Sequence, residues 1–195
     1  VGEVLQVWRP RELNTHETEW GFSCMSYEIS GALGIKMANP DKEVIAFVGD
    51  GSYLLYNSDI YSSVITNHKL IIVVCDNGGH AVINRLQIYK GGKEFNCLFE
   101  SSNVKNLKVI DFAKHAESLG ATGENVNSIN ELEEAFVRAK KSKSTYIISI
   151  KTDGYQWLEG SAYWESPTLG KPSTKENERA LKEHLEGKAK QRQGV

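Results

Sequence analysis

Leu70-Ile71-Ile72-Val73-Val74-Cys75 is an unbroken apolar run, followed at once by Asp76-Asn77-Gly78-Gly79-His80. A short, mostly β-branched run bounded by turn residues reads as a strand buried on both faces, as in a parallel sheet. Upstream, residues 43–48 (EVIAFV) read as a second strand, stopped by Gly49-Asp50-Gly51. Downstream, 121–126 and 145–150 (TYIISI) read as two more. Between them the period becomes helical. A helix is predicted over 26–38, with Ser30, Gly31 and Gly34 making one face small and Asn39-Pro40 closing it. A single helix is predicted over 53–66, where Leu54, Ile60, Tyr61, Val64 and Ile65 recur. Others are predicted over 111–119, ended by Gly120, and from a capping box at Ser128 and Glu131 to about Lys141. The stretch from 81 to about 99 shows no dominant period. Strands separated by helical segments, with no hairpin signals, predict an α/β fold: a parallel sheet with helices on both faces.

With 195 residues, 40% of them hydrophobic, the chain can bury one sizeable core. A formal net charge of −2 provides no electrostatic footprint for nucleic acid or an anionic membrane. The run at 70–75 is far too short to span a bilayer. Cys24, Cys75 and Cys97 show no CxxC spacing and are expected as free thiols, with Cys75 buried. That usage, with no signal-peptide pattern, predicts a reducing, cytoplasmic setting. Residues 1–20 are expected as a linker or edge segment. Because the chain starts at Val1 rather than Met, a piece of a longer polypeptide, or a subunit without its start, is expected. The α/β domain is expected over 21–152. Over 153–195 the composition changes: Trp157, Tyr163 and Trp164 stand among Gly, Ser and Pro, before a charged helix capped at 173–176 with only Leu181 and Leu185 as an apolar stripe.

Ligands of open α/β sheets collect at the carboxyl ends of strands, so the turns after Val48 and Cys75 are the first candidates. Gly49 and Gly51 let the backbone approach a ligand, and N–H groups of the following helical turn can hold a diphosphate. Asp50 beside a diphosphate is repulsive unless a cation lies between. One crossover helix makes the two strands neighbours, so Asp50, the Asn77 side chain and the Gly79 carbonyl would offer three oxygens to Mg²⁺.

The pattern Gly49-Asp50-Gly51-Ser52, then 23 residues, then Asp76-Asn77 resembles the fingerprint of thiamine diphosphate-dependent enzymes. Residues 23–34 (SCMSYEISGALG) line up with the ring-facing stretch of the acetolactate synthase and pyruvate oxidase group. Residues 19–44, 48–60 and 83–87 (INRLQ) are similar, more closely, to the hydrolases that open trihydroxycyclohexane-1,2-dione, a cyclic 1,2-dione of inositol catabolism. LQVWRPRE at 5–12 has a counterpart there too. The resemblance covers about 1–150.

It implies a C-terminal diphosphate-binding domain, with thiamine diphosphate and Mg²⁺ as cofactors. Asp50, Asn77 and the Gly79 carbonyl would hold the metal. Gly49, Gly51 and Ser52 would receive the diphosphate, with His80 and Ala81 beside it, and Cys24 and Met25 would lie against the cofactor's rings. Ser26 stands where the family usually has Gly. His80 and Ala81 replace an expected aromatic and Gly. The activating Glu belongs to a pyrimidine-binding domain or chain outside these residues, so no catalytic residue is expected here and the chain alone is expected to be inactive. Glu28 falls in the ring-facing stretch but is no natural substitute. The implied activity is hydrolytic C–C cleavage of a small-molecule cyclic dione by a homo-oligomer. The alternatives are a 2-oxoacid decarboxylase or acetolactate synthase-like enzyme, and a non-catalytic domain that retains the fold. A simple nucleotide-binding module lacks support, since neither GxGxxG nor GxxxxGK[ST] is present.

Overall fold

The computed structural model describes residues 2–19, 21–104, 106–158 and 171–191; Tyr163 and Trp164 lie outside them. The elements run α1 (Gly2–Val7), α2 (Tyr27–Ala38), β1 (Ile45–Gly49), α3 (Asp50–Leu55), α4 (Ser58–Ile65), β2 (Ile71–Asp76), α5 (Ala81–Tyr89), a 3₁₀ turn (Phe99–Ser101), α6 (Phe112–Ser118), β3 (Thr122–Val126), α7 (Ile129–Lys141), β4 (Tyr146–Lys151) and α8 (Lys175–Lys190). The strands form one sheet in the order β1-β2-β4-β3, every pairing parallel.

Alternation along β2 divides the core. Leu70, Ile72 and Val74 face Ile29, Val48, Tyr53, Ile60, Phe112 and Ile147 on one side of the sheet. Ile71 and Val73 face Val126, Ala135, Ala139, Ile148 and Ile150 on the other. α2, α3, α4 and α6 supply the first layer and α7 the second. Trp8 lies 6.4 Å, ring to ring, from Phe47 on the second side. The edge strand β3 is polar, and its Glu124 is bound by Arg138 of α7 and accepts a 2.5 Å bond from the Tyr146 hydroxyl.

Three sequence expectations change. The single helix over 53–66 is two helices, broken at Tyr56-Asn57. Tyr56 is extended (φ −154°, ψ 101°) and the Asn57 amide donates to the Tyr53 carbonyl at 3.1 Å, so Asn57 ends α3 instead of continuing it. The crossover between β1 and β2 is therefore two helices. The opening segment, expected as linker or edge, holds α1, tied to the body by Glu3 and Arg85 at 3.3 Å. The stretch left without a period carries α5.

The cap expected at Ser128 is made, whereas that of α8 falls one residue later than the expected start at Ser173. The Glu131 N–H donates to Ser128 Oγ at 3.2 Å, and Thr174 accepts from the Asn177 N–H at 3.1 Å. On α8 the buried side chains are Ala180 and His184, while Leu185 is exposed. The Asn177 amide donates to the Lys90 carbonyl at 3.1 Å, which fixes α8 against the end of α5.

Candidate functional site

The register Gly49↔Cys75 ends β1 and β2 level with each other, so the turns that follow emerge side by side. Asp50 opens α3 with no exposed surface, and the Asn77 N–H donates to its Oδ1 at 3.2 Å. Burial pushes the Asp50 carboxyl above the ordinary carboxylate range. The Asn77 N–H opposes that shift and the nearby charge of Asp76 adds to it. A cation bound here would reverse the push, and a carboxylate, an amide and a backbone carbonyl are the hard oxygen donors that a divalent ion such as Mg²⁺ takes. The donor set therefore fits the metal that the sequence implies.

The two glycines of the first turn differ. A Cβ on Gly49 would meet nothing within 4 Å. A Cβ on Gly51 would collide with the His80 ring and lie 2.9 Å from the Gly79 oxygen. The Gly79 carbonyl therefore faces the first turn at Gly51. Gly78 and Gly79 have φ of 81° and 139°, conformations that exclude most side chains. His80 stands at the N-cap position of α5 without a side-chain capping bond, and its Nδ1 is buried with no hydrogen-bond partner among the described residues. Ala81 is buried as the first residue of that helix.

Residues 22–26 approach from α2. The Glu19 carboxylate accepts the Phe22 N–H at 2.6 Å and the Cys24 N–H at 2.7 Å, which holds its pKa below the usual range. Cys24 is exposed and Met25 is 44% exposed, so Met25 is not a core residue here. Ser26 has φ 72°, the left-handed conformation for which glycine is the natural choice, and its hydroxyl donates to the Ser52 carbonyl. A left-handed backbone here suits the Gly that the resemblance implies at this position. Serine is strained there, and its hydrogen bond ties the ring-facing stretch to α3. Glu28 is half-buried, its Oε2 has no partner among the described residues, and burial raises its pKa.

Sequence reasoning missed several supporting residues. Asp76, nearly buried, accepts the Gly78 N–H at 3.2 Å and pairs with the Lys151 ammonium at the end of β4. Tyr53, wholly buried one turn past Asp50, binds His115 Nδ1 of α6 at 2.9 Å, and burial raises its hydroxyl pKa. Both contacts join residues far apart in sequence, and no local pattern carries them. A cavity of about 580 Å³ adjoins the second turn, lined among others by Asp76, Asn77, Leu98, Phe112 and Lys151.

The three cysteines are free, Cys75 is partly rather than fully buried, and burial pushes its thiol up. Among the described residues no helix is long and apolar enough to cross a membrane.

Residues 2–150 match the family described as thiamine pyrophosphate enzyme, C-terminal TPP binding domain. The chain is 40% identical over 169 residues to a 3D-(3,5/4)-trihydroxycyclohexane-1,2-dione hydrolase of Shouchella clausii, covering 83% of this chain and 26% of that protein. It is 37% identical over 185 residues to the Geobacillus thermodenitrificans protein of the same name, covering 92% of this chain and 29% of that one. The chain thus spans about a quarter of the length of these curated relatives. Among solved structures, a thiamine diphosphate-dependent 4-hydroxybenzoylformate decarboxylase of Rhodococcus jostii superposes with a TM-score of 0.53 at 20% identity. The match covers 66% of this chain and 23% of that one, a likeness of fold. With its acidic and amide-bearing turns side by side at the ends of β1 and β2, and with the family matched over 2–150, this chain belongs to the thiamine pyrophosphate enzymes, as a C-terminal TPP-binding domain.

Proposed function

We propose that this chain is the diphosphate-binding half of a cytoplasmic, thiamine diphosphate-dependent hydrolase. It would cleave a C–C bond of a cyclic 1,2-dione, trihydroxycyclohexane-1,2-dione, in inositol catabolism. The observation that carries the site is Asp50 beside Asn77, with the Gly79 oxygen facing the same turn. The substrate rests on the name of relatives that are 37–41% identical.

Asp50, the Asn77 side chain and the Gly79 carbonyl would hold Mg²⁺. Gly49 leaves the backbone open to the diphosphate, and the N–H groups of Gly51 and Ser52 would bind it, with His80 and Ala81 alongside. Cys24 and Met25 would pack on the cofactor's rings, a suitable task for an exposed, pliable thioether. The bound cofactor supplies an electron sink for carbanion character at the substrate. Glu19 holds the loop that carries Cys24, and Ser26 ties that loop to α3.

The site is completed by a pyrimidine-binding domain or chain that supplies the activating carboxylate, in a homo-oligomer. Leu54, Leu55, Val82 and Ile83 are exposed around the turns and suit burial against that companion.

Calorimetric titration of thiamine diphosphate into the assembled protein, with and without Mg²⁺, tests the site. Binding should depend on Mg²⁺ and be lost in Asp50→Ala. Assays with the cyclic dione and with pyruvate test the substrate. Turnover of pyruvate alone would move the protein to the 2-oxoacid decarboxylases or acetolactate synthase-like enzymes.

A further inference from the structure

The motif Ile83-Asn84-Arg85-Leu86-Gln87 supplies none of the ligands assigned above, yet two of its polar side chains turn inward. Asn84 is 1% exposed, and its amide donates to Glu94 Oε1 at 2.7 Å. Gln87 Oε1 accepts the Cys97 thiol at 3.4 Å. Both reach segment 94–100, whose far end is held where the Tyr155 hydroxyl donates to Glu100 at 2.7 Å. We infer that Asn84 and Gln87 are positioning residues that, through this segment, aim the Gly79 carbonyl at the cation; the inference rests on the metal reading proposed above.

The geometry of one peptide group makes the connection. The His80 N–H donates to the Cys97 carbonyl at 2.7 Å. In a trans peptide the C=O points opposite to the N–H, and the C=O of that group belongs to Gly79. Binding the N–H to segment 94–100 therefore turns the Gly79 oxygen the other way, toward Gly51 in the first turn, where it lies. The peptide before it is pinned as well, because the Phe99 N–H donates to the Gly78 carbonyl at 2.8 Å. A Cβ on Gly79 would lie 2.5 Å from the Cys97 oxygen, so glycine is what allows this approach.

α5 starts at Ala81, directly after the turn, so the two side chains that brace the turn stand on the helix that continues it. That helix is a poor core element, since Val82 and Ile83 face outward while Asn84 is buried. Asn84 Oδ1 has no hydrogen-bond partner among the described residues, a cost that a residue kept only for packing would not carry. Partners one step behind a metal ligand set its direction, and losing them weakens metal binding.

The test uses the protein assembled with its pyrimidine-binding half. Mn²⁺ stands in for Mg²⁺, its binding in the presence of thiamine diphosphate is followed by electron paramagnetic resonance, and the melting temperature of the metal-free protein is read in parallel. The double variant Asn84→Ala/Gln87→Leu should raise half-saturating Mn²⁺ about tenfold or more, and Gln87→Glu, which keeps the acceptor oxygen, should stay within about twofold of the parent. Cys97→Ala removes one brace from the loop side and leaves α5 intact. It should weaken Mn²⁺ binding in the same direction, which keeps the test decisive if the double variant does not fold. Parent-like Mn²⁺ affinity in folded double and Cys97→Ala variants overturns the inference. Asp50→Ala separates the two readings: if it binds Mn²⁺ as the parent does, the metal site itself is wrong and the positioning role falls with it. If it loses binding while the α5 and Cys97 variants do not, only the positioning role falls.

Discussion

The imidazole of His80 lies against Gly51, closing over the second residue of α3 where any side chain would collide with it. Gly51→Ala should destabilise the protein by about 1–3 kcal/mol, the usual range for overpacking, as measured by urea unfolding. His80→Ala in the same background should recover only part of this, because the Gly79 oxygen remains 2.9 Å from the new methyl. Strictly additive effects of the two substitutions would show that the ring does not rest there.

Ser63 of α4 and Thr145 ahead of β4 share a buried hydroxyl pair at 2.7 Å, and Thr145 Oγ1 also accepts the Leu70 N–H at 3.2 Å. Thr145→Val keeps the shape but leaves that N–H buried and unmatched, and should cost about 1–3 kcal/mol in equilibrium unfolding. Thr145→Ser keeps the oxygen and should cost distinctly less.

Gly123 of β3 is pressed onto the backbone of α6. A Cβ there would run into the Ala113 carbonyl, whose carbon would be 2.6 Å away. Backbone cannot move aside as a side-chain tip can, so Gly123→Ala should cost about 3 kcal/mol. A melting temperature equal to that of the parent would show that β3 and α6 do not meet this way.

Asp111 caps α6, accepting the Asn125 amide at 2.8 Å and the Lys114 N–H at 3.1 Å. Those bonds, Asn125 first, hold its carboxyl down at about 2. A carboxyl with a lowered pKa in the folded state stabilises at neutral pH, and that contribution disappears as the pH falls through the folded value. Unfolding followed from about pH 4 to about pH 2 should show the parent losing more stability than Asp111→Asn. Equal slopes would mean that the cap is not made.

Much of the sheet was legible because its strands are short apolar runs, mostly β-branched and stopped by turn residues. Residues 70–75 could only be a strand buried on both sides, and the spacing to Gly49-Asp50 placed two turns at one edge. The companion helices were less legible where polar side chains compete with the period. Leu54, Tyr61 and Ile65, spaced by seven and four residues, keep helical phase across the break at Asn57, so the pattern hides a discontinuity made by one side-chain-to-backbone bond. α5 was invisible because its burial is inverted: Asn84 is inside, Val82 and Ile83 outside, and an apolar stripe is the signal that period reading uses. At the site, Asp50 and Asn77 were legible as neighbours because a single crossover joins the two strands that they follow. Lys151 beside Asp76, and His115 beside Tyr53, were not, because each joins residues more than 60 positions apart.

The strand order has a consequence for how the chain is made. β2, the most apolar strand, finds β1 waiting when it leaves the ribosome, but its other edge pairs with β4, whose first residue, Tyr146, follows Ile71 by 75 positions. Until β4 emerges, a twice-buried strand has one open edge, the type of surface that pairs with the wrong neighbour. Slowing translation ahead of Tyr146 should lower soluble yield, and a chaperone that shields apolar strands should restore it.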